Sequence, residues 1–123
     1  MSSDKAAKTD TIRTFLASYK TKDVPTRIAL FADDISFEDP VGSPAIVGKA
    51  AMQHYFDATI ASGWEIDLVP QKIIVNGTEA VSITEVTAGV GGNPPSVTVI
   101  VQNFLFDDAG KFKALRVFTD TFG

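Results

Sequence analysis

Apolar residues near the start of the chain recur at helical spacing. One set follows the i, i+3, i+4, i+7 pattern of a single helix face: Ile12, Phe15, Leu16 and Tyr19. Thr9 and Asp10 have side chains that favour the N-cap position, so we expect this helix to begin at one of them. Residues 1–8 are mostly polar or small, and we expect them to form a loose N-terminal segment.

Two more helices are predicted in the first half of the chain. Asp23 precedes Val24-Pro25, an arrangement typical of a helix start. This second helix would place Ile28 and Phe31 on the same face as Val24. The third helix is predicted from about Lys49 to Ala61, and its apolar side consists of Met52, Tyr55, Phe56, Thr59 and Ile60.

The second half of the chain has the pattern of β-strands. Asn76-Gly77 lies between two β-branched segments and is a strong hairpin signal. Residues 89–95 (GVGGNPP) and 107–111 (DDAGK) separate the later segments, and residues 35–47 are expected to form a short extended pair. We therefore predict four long strands in an antiparallel meander. The fold class is α+β, with three N-terminal helices packed on a curved antiparallel sheet.

The strand over residues 96–106 carries an amide among apolar side chains. Because side chains alternate along a strand, Gln102 shares a face with Ile100 and Phe104. A buried amide without hydrogen-bond partners costs about 1–3 kcal/mol, so Gln102 must either find partners or serve a function. The opposite face carries Val97, Val99 and Val101. An apolar patch of this kind is usually covered, so we predict a homodimer formed through the sheet.

Composition and charge narrow the class of protein. The 123 residues suit one domain, 1–123, with a single core. The net charge of -4 and the absence of a Lys/Arg cluster argue against a nucleic-acid partner. The polar start MSSDKAAKTD lacks the apolar region of a signal peptide, and no segment is apolar enough to cross a membrane. We expect a cytoplasmic protein.

The sequence offers little for metal or cofactor chemistry. It contains no cysteine, and His54 is its single histidine, which makes zinc sites and a Ser-His-Asp triad improbable. The GVGG stretch lacks the strand-to-helix setting of a phosphate-binding loop. We expect no cofactor and no metal.

Glu38 and Asp39 stand before Pro40 in an otherwise apolar or small stretch. Local sequence favours a solvated turn, because Asp-Pro pairs are common turn formers. The alternative is that Asp39 points into an apolar cleft. There its neutral form would be favoured, its pKa would rise, and it would become a better general base.

The order of motifs around Asp39 resembles that of a known family. The stretch 31–52, FADDISFEDPVGSPAIVGKAAM, resembles the corresponding region of bacterial Δ5-3-ketosteroid isomerases, and 106–112, FDDAGKF, resembles their last hairpin turn. The element order is similar to that of the wider nuclear transport factor 2-like, or SnoaL-like, superfamily. The resemblance covers about Ile12 to Thr121, and its most specific part is Glu-Asp-Pro-x-Gly, in which the Asp is the isomerase base.

This resemblance implies a steroid Δ-isomerase activity. Asp39 would move a proton from C4 to C6 of a steroid-like ketone and bring the double bond into conjugation with the carbonyl. In the family, a Tyr and a protonated Asp donate hydrogen bonds to the dienolate oxygen. Here the Tyr position holds Phe15, with Tyr19 one turn later, and the acid position holds Gln102, whose amide N–H can donate. The resemblance thus implies Asp39, Gln102 and Tyr19 as catalytic residues.

The resemblance also implies an apolar pocket for a flat hydrophobic ligand. The residues expected to line it are Phe15, Phe31, Phe56, Ile83, Phe104, Leu115, Val117 and Thr119. A second reading is a non-catalytic binder of a steroid-like or terpenoid ligand, since the principal Tyr donor is missing. Dehydration, cyclisation or epoxide opening ranks lower, because His54 lies off the apolar stripe and Arg116 is predicted to face away from the pocket.

Overall fold

The computed structural model describes residues 2–120 of the chain, with side chains from Asp4 onward. Within this range the chain forms three helices and six strands. They are, in chain order, α1 (Ser2–Lys20), α2 (Val24–Ala29), β1 (Phe31–Glu38), β2 (Ile46–Val47), α3 (Lys49–Ala61), β3 (Trp64–Asn76), β4 (Glu79–Val90), β5 (Ser96–Phe106) and β6 (Phe112–Phe118). No helix in residues 2–120 is long and apolar enough to span a membrane.

The six strands form one sheet in the order β2-β1-β6-β5-β4-β3. The predicted meander is confirmed by the antiparallel pairs β3–β4, β4–β5 and β5–β6. The short extended pair is confirmed as β1 and β2, which are also antiparallel. However, β1 runs parallel to β6, so the sheet is mixed and mostly antiparallel. The pattern of residues did not predict this pair, because its two strands lie far apart in the sequence.

The helices cover one face of the sheet and close an aromatic core. Helix α1 lies mainly against β3, and α3 contacts β1, β2 and β3. Phenylalanine rings from helices and strands meet between them: Phe15, Phe31, Phe56, Phe104 and Phe112. The closest of these pairs is Phe104–Phe112, whose ring centroids are 4.9 Å apart. Burial of these rings supplies much of the hydrophobic stabilisation of the fold.

The first helix begins earlier than the sequence pattern predicted. It starts at Ser2. The expectation of an N-cap at Thr9 or Asp10 was therefore wrong, because both residues lie inside the helix. The expectation of a loose segment over residues 1–8 was wrong for residues 2–8, and Met1 lies outside the described residues. Lys8 forms an i, i+4 ion pair with Asp4 at 2.8 Å. The Lys8 ammonium also lies 5.7 Å from the centroid of the Phe106 ring. These two contacts favour a helix over these residues without any apolar periodicity.

The second helix is shorter than predicted. Asp23 caps it as expected, accepting a hydrogen bond from the backbone N–H of Thr26 at 3.1 Å. The helix ends at Ala29, and Phe31, predicted on its apolar face, instead begins β1. Phe31 pairs with Phe112 and is fully buried. Tertiary pairing with a distant strand thus determines the conformation of Phe31.

The third helix and the first long hairpin follow the sequence closely. Helix α3 has the predicted limits, and Gly63 just beyond it has a φ of 86°, in the left-handed region that glycine favours. The hairpin between β3 and β4 turns at Gly77, where φ is 61°. A two-residue turn with glycine at its first position matches the twist of an antiparallel pair.

Replacing one core ring tests how far the aromatic cluster stabilises the fold. Phe104→Ala should lower the free energy of unfolding by about 3–5 kcal/mol, because a fully buried ring is lost and a cavity is left. The control is Ile74→Ala on β3, where the side chain is 41% exposed. It should cost less than about 1.5 kcal/mol. Equal losses in urea denaturation would contradict this description of the core.

Candidate active site

A cavity of about 250 Å³ opens between the helices and the covered face of the sheet. Its wall is largely apolar and includes Phe37, Phe56, Ile60, Leu68, Ile100 and Val117. A smaller set of polar side chains shares the same space: Tyr19, Arg27, Asp39, Tyr55 and Gln102. A few polar groups in an apolar concavity are the usual composition of a small-molecule site.

Asp39 follows the last residue of β1 and lines the cavity. Phe37 is buried in the cavity wall, and the alternation along the strand turns Glu38 away. Glu38 is half-buried rather than free in solvent, because its carboxylate is 3.4 Å from Nε of Arg116 on the outer side. The chain after Asp39 is fixed by a 2.7 Å hydrogen bond from the Val41 N–H to the carbonyl of Val117.

Asp39 and Tyr55 form a coupled pair at the rim of the cavity. The Tyr55 hydroxyl donates to Oδ2 of Asp39 over 3.5 Å. Asp39 as a whole residue is exposed at this rim. Its carboxyl group is nevertheless partly enclosed, and this burial raises the pKa of Asp39. The hydrogen bond from Tyr55 partly opposes the rise. Burial, together with the negative charge of Asp39, raises the pKa of Tyr55 to about 12. Tyr55 therefore remains a hydrogen-bond donor at neutral pH.

Tyr19 lines the same cavity one helical turn after Phe15. Phe15 is fully buried, and its ring packs edge-on against the Tyr19 ring with centroids 5.4 Å apart. Burial raises the pKa of the Tyr19 hydroxyl above its ordinary value, and the nearby charge of Asp39 acts in the same direction. The hydroxyl thus stays protonated and can donate within the cavity.

Gln102 lies on the cavity wall at the end of a short chain of buried polar groups. Its Oε1 accepts a hydrogen bond from the Thr84 hydroxyl at 2.9 Å, and the hydroxyls of Thr84 and Ser82 are 2.6 Å apart. All three side chains are buried. The hydrogen bond from Thr84 fixes which end of the amide is the oxygen, and the amide nitrogen is the donor end of Gln102. Thr84 thus satisfies the oxygen of the Gln102 amide.

The sequence analysis missed Ser82, Thr84 and Arg27. The signal for the first two was the alternation along β4, which places them on the same face as Ala80. Arg27 follows Val24 by three positions and therefore lies on the apolar face of α2. A charged residue on that face was the signal for a buried cation.

Arg27 is buried in the wall of the cavity among aromatic rings. The centre of its guanidinium is 3.9 Å from the centroid of the Tyr19 ring and 4.6 Å from that of Phe56. Its Nε donates to the hydroxyl of Ser18 and its Nη2 to the carbonyl of Ser18, both at 3.0 Å. Burial lowers the pKa of Arg27 below its ordinary value.

The predicted site residues other than Ile83 divide into two groups. The cavity wall contains the three predicted catalytic residues, Asp39, Gln102 and Tyr19, and three predicted pocket residues, Phe56, Val117 and Thr119. Four predicted pocket residues lie instead in the closed core, where neighbouring rings and strands cover them: Phe15, Phe31, Phe104 and Leu115.

Ile83 was wrongly placed in the pocket. It pairs with Val101 on β5, and paired residues point to the same side of a sheet. Val101 is on the outer face, whereas Ser82 and Thr84, the residues that flank Ile83, are on the inner face. The strand register therefore turns Ile83 away from the cavity.

His54 and the acidic residues do not assemble into a metal site in the described part of the chain. His54 is exposed on α3. Within residues 2–120, no group of three or more His, Asp or Glu side chains could hold a metal ion.

Comparison with known proteins identifies the family. Residues 12–114 match the SnoaL-like domain. The chain belongs to the SnoaL-like domain family. A curated relative, a steroid Δ-isomerase of Nocardioides simplex, is 28% identical over 90 residues, which are 73% of this chain and 71% of that protein.

Two solved structures share the fold of this SnoaL-like chain. One is the epoxide hydrolase/cyclase-like enzyme SalBIII, which has a role in pyran ring formation in the polyether salinomycin. It aligns with a TM-score of 0.85 at 20% identity, and the alignment covers 97% of this chain and 95% of SalBIII. RV0760c from Mycobacterium tuberculosis, in complex with estradiol-17β-hemisuccinate, aligns with a TM-score of 0.83 at 21% identity, covering 94% and 95%. At these identities the likeness shows the fold, which is nuclear transport factor 2-like.

The Tyr55–Asp39 contact can be tested by titration. Tyr55→Phe should raise the pKa of Asp39 further, because the hydroxyl that stabilises the carboxylate is removed. The matched control is Tyr19→Phe, which removes another cavity hydroxyl that does not bond to Asp39 in this structure. NMR titration of the carboxyl carbon of Asp39 measures both variants. A lower pKa in Tyr55→Phe, or an equal rise in the control, would contradict the contact.

Proposed function

We propose that this SnoaL-like protein is a ketosteroid isomerase-like enzyme with Asp39 as its general base. The observation that supports it best is a carboxyl of raised pKa in an apolar cavity that also contains hydrogen-bond donors. The Glu-Asp-Pro-x-Gly motif at residues 38–42 and the likeness to a steroid Δ-isomerase support the same reaction. The substrate would be a steroid-like ketone whose double bond is not yet conjugated.

In the proposed reaction, Asp39 takes a proton from C4, next to the carbonyl carbon. The electrons of the broken C–H bond move onto the ketone oxygen and give a dienolate. The amide nitrogen of Gln102 and the hydroxyl of Tyr19 donate hydrogen bonds to that oxygen. Asp39, now protonated, returns the proton to C6, and the double bond ends in conjugation with the carbonyl. The raised pKa of Asp39 favours this sequence, because the carboxyl must hold the proton between the two steps.

With Gln102 and Tyr19 as its hydrogen-bond donors, this enzyme should be slower than family members that use a Tyr and a protonated Asp. Phe15 has no donor and is packed into the core, so it cannot contribute to an oxyanion site. Gln102 donates as a neutral amide, which stabilises negative charge less than a carboxylic acid does. Tyr19 remains protonated and is the stronger of the two donors in acidity.

Conversion of 5-androstene-3,17-dione to the conjugated enone, followed by UV absorbance, tests the proposal. Asp39→Asn should lower kcat by about 10²–10⁴-fold, the usual contribution of a general base. Gln102→Leu should lower it by about 10²-fold, the lower end of the loss expected for one oxyanion-hole donor, because Tyr19 remains as a second donor. The matched control is Asp34→Asn, an exposed carboxylate on β1, which should leave the rate unchanged. If Asp39→Asn turned over as fast as the wild type, the base assignment would be refuted.

A non-catalytic binder is the second candidate function, favoured by the burial of Phe15 where the family has its principal donor. A binder would take up the steroid saturably without turnover, and Asp39→Asn would leave that binding unchanged. Equilenin, a phenol that mimics the dienolate, separates the two candidates. An isomerase should bind it more tightly than a steroid lacking the phenol, whereas a binder of apolar surfaces should not distinguish them.

We further propose that two copies associate through the outer face of the sheet. Four exposed apolar side chains lie together on β5 and β6: Val97, Val99, Val101 and Phe118, with 63%, 47%, 36% and 41% exposure. The end of the Asp39 loop adjoins them, because Val41 lines the same shallow groove as Val99 and Phe118. A self-complementary apolar patch is the usual basis of a two-fold dimer.

Sedimentation equilibrium at micromolar concentration measures this association. The wild type should sediment as a dimer, and Val99→Lys should shift it to monomer, because a charge would be buried at the centre of the contact. Val47→Lys is the control, since Val47 is 61% exposed on the edge strand β2, away from the patch. A monomeric wild type would refute the dimer.

A further inference from the structure

We propose that Arg27 binds a carboxylate of the ligand, so that the natural ligand is an apolar molecule with one anionic end. The inference rests on the proposed function in one respect, that the cavity is the ligand site. It goes beyond that function by naming a charged group on the ligand and the residue that recognises it.

The first observation is the burial of Arg27 without an anionic partner. The side chain is in the cavity wall, and the residue is only 3% exposed. Arginine is almost never buried to this extent unless it is paired. The ion pairs formed between side chains described in the structure do not include Arg27.

The groups around Arg27 compensate its charge incompletely. Asp23 acts on Arg27 through space, but its own oxygens accept hydrogen bonds from the N–H and hydroxyl of Thr26, at 3.1 and 2.6 Å. The rings of Tyr19 and Phe56 stabilise the cation through their faces. A buried cation normally needs an anion as well as such contacts, because its desolvation is costly.

The hydrogen-bonding geometry of Arg27 leaves donors for a ligand. The bonds to Ser18 use Nε and Nη2 and fix the plane of the guanidinium. A guanidinium carries five N–H donors in a planar fork, so further donors remain on a group that lines the cavity. A planar fork matches the two oxygens of a carboxylate better than a single carbonyl or hydroxyl.

The other charges of the cavity give the ligand a direction. Asp39 would repel a carboxylate whereas Arg27 would attract it, so the anionic end of the ligand should contact Arg27 rather than Asp39. Tyr19 is near both charged groups, since Arg27 and Asp39 act on its hydroxyl in opposite directions. Lys22 also lines the cavity but is already paired with Glu65 at 2.7 Å. Arg27 is therefore the cation best placed to receive the anion.

The affinities of estradiol-17β-hemisuccinate and its methyl ester provide the test. The two differ in one charge, and Trp64, the single tryptophan, lines the cavity and reports binding by fluorescence. At about pH 7 the wild type should bind the acid at least about tenfold more tightly than the ester, the range of a charge-assisted hydrogen bond. Equal affinity, or no binding of either probe at 100 µM, would overturn the inference.

Variants assign the preference to Arg27. Arg27→Met removes the charge at similar length and should abolish the preference for the acid, while the affinity for the ester stays within about threefold. Lys22→Met is the matched control and should keep the preference. Since Arg27 also holds Ser18, Arg27→Met could fail to fold. Arg27→Lys, which keeps the charge but loses the fork, should then show a reduced preference, and an unchanged one would overturn the inference.

The test separates this inference from the isomerase proposal. Asp39→Asn should abolish turnover of the neutral ketone while keeping the preference for the acid. A preference for the acid without any isomerase activity would support the role of Arg27 and refute the reaction. Turnover without a preference for the acid would support the isomerase reaction and refute the role of Arg27.

Discussion

The parallel pairing of β1 with β6 is the constraint on which the candidate site depends. It aligns Phe37 with Leu115 and Glu38 with Arg116, and so fixes which side of the sheet each residue faces. With Glu38 held outward by Arg116, the next residue, Asp39, is turned to the cavity. The same pairing brings the chain after Asp39 to the end of β6, where Val41 bonds to Val117. A register shift of one residue would place the carboxylate outside.

The cavity holds polar side chains in apolar surroundings, where a charge or an unmet hydrogen bond is costly. Three of these side chains are each held by a different neighbour. Tyr55 contacts Asp39, Thr84 bonds to Gln102, and Ser18 bonds to Arg27. Low dielectric strengthens every one of these interactions and penalises any group left unpaired. Asp39 contributes to this balance in a pH-dependent way. Because its folded pKa is raised, its contribution to stability is present at low pH and is lost as pH rises from the ordinary carboxyl range through the folded value.

Membership of the SnoaL-like family determines the fold that surrounds the site, whereas the chemistry of the site depends on individual residues. The same sheet and helices carry an epoxide hydrolase/cyclase-like enzyme and a protein solved with a steroid hemisuccinate. In this chain Phe15 lies in the core, Gln102 lies on the cavity wall, and Arg27 is buried. The first two bear on how fast a proton could be transferred, and the third bears on which molecule the cavity would hold.

The sequence by itself determined the features that depend on neighbouring residues: helix α3 from its periodicity, the hairpin at Gly77 from its turn residues, and the inward face of Gln102 from strand alternation. Only the tertiary structure decided the rest, because distant segments compete with local preference. The pairing of β1 with β6 drew Phe31 out of the predicted helix, the register of β4 turned Ile83 outward, and packing of α1, α2 and α3 enclosed Arg27 between the rings of Tyr19 and Phe56. Periodicity indicates which residues share a face of β4 or of α2, but which face is covered, and by which side chains, depends on the packing of other elements against it.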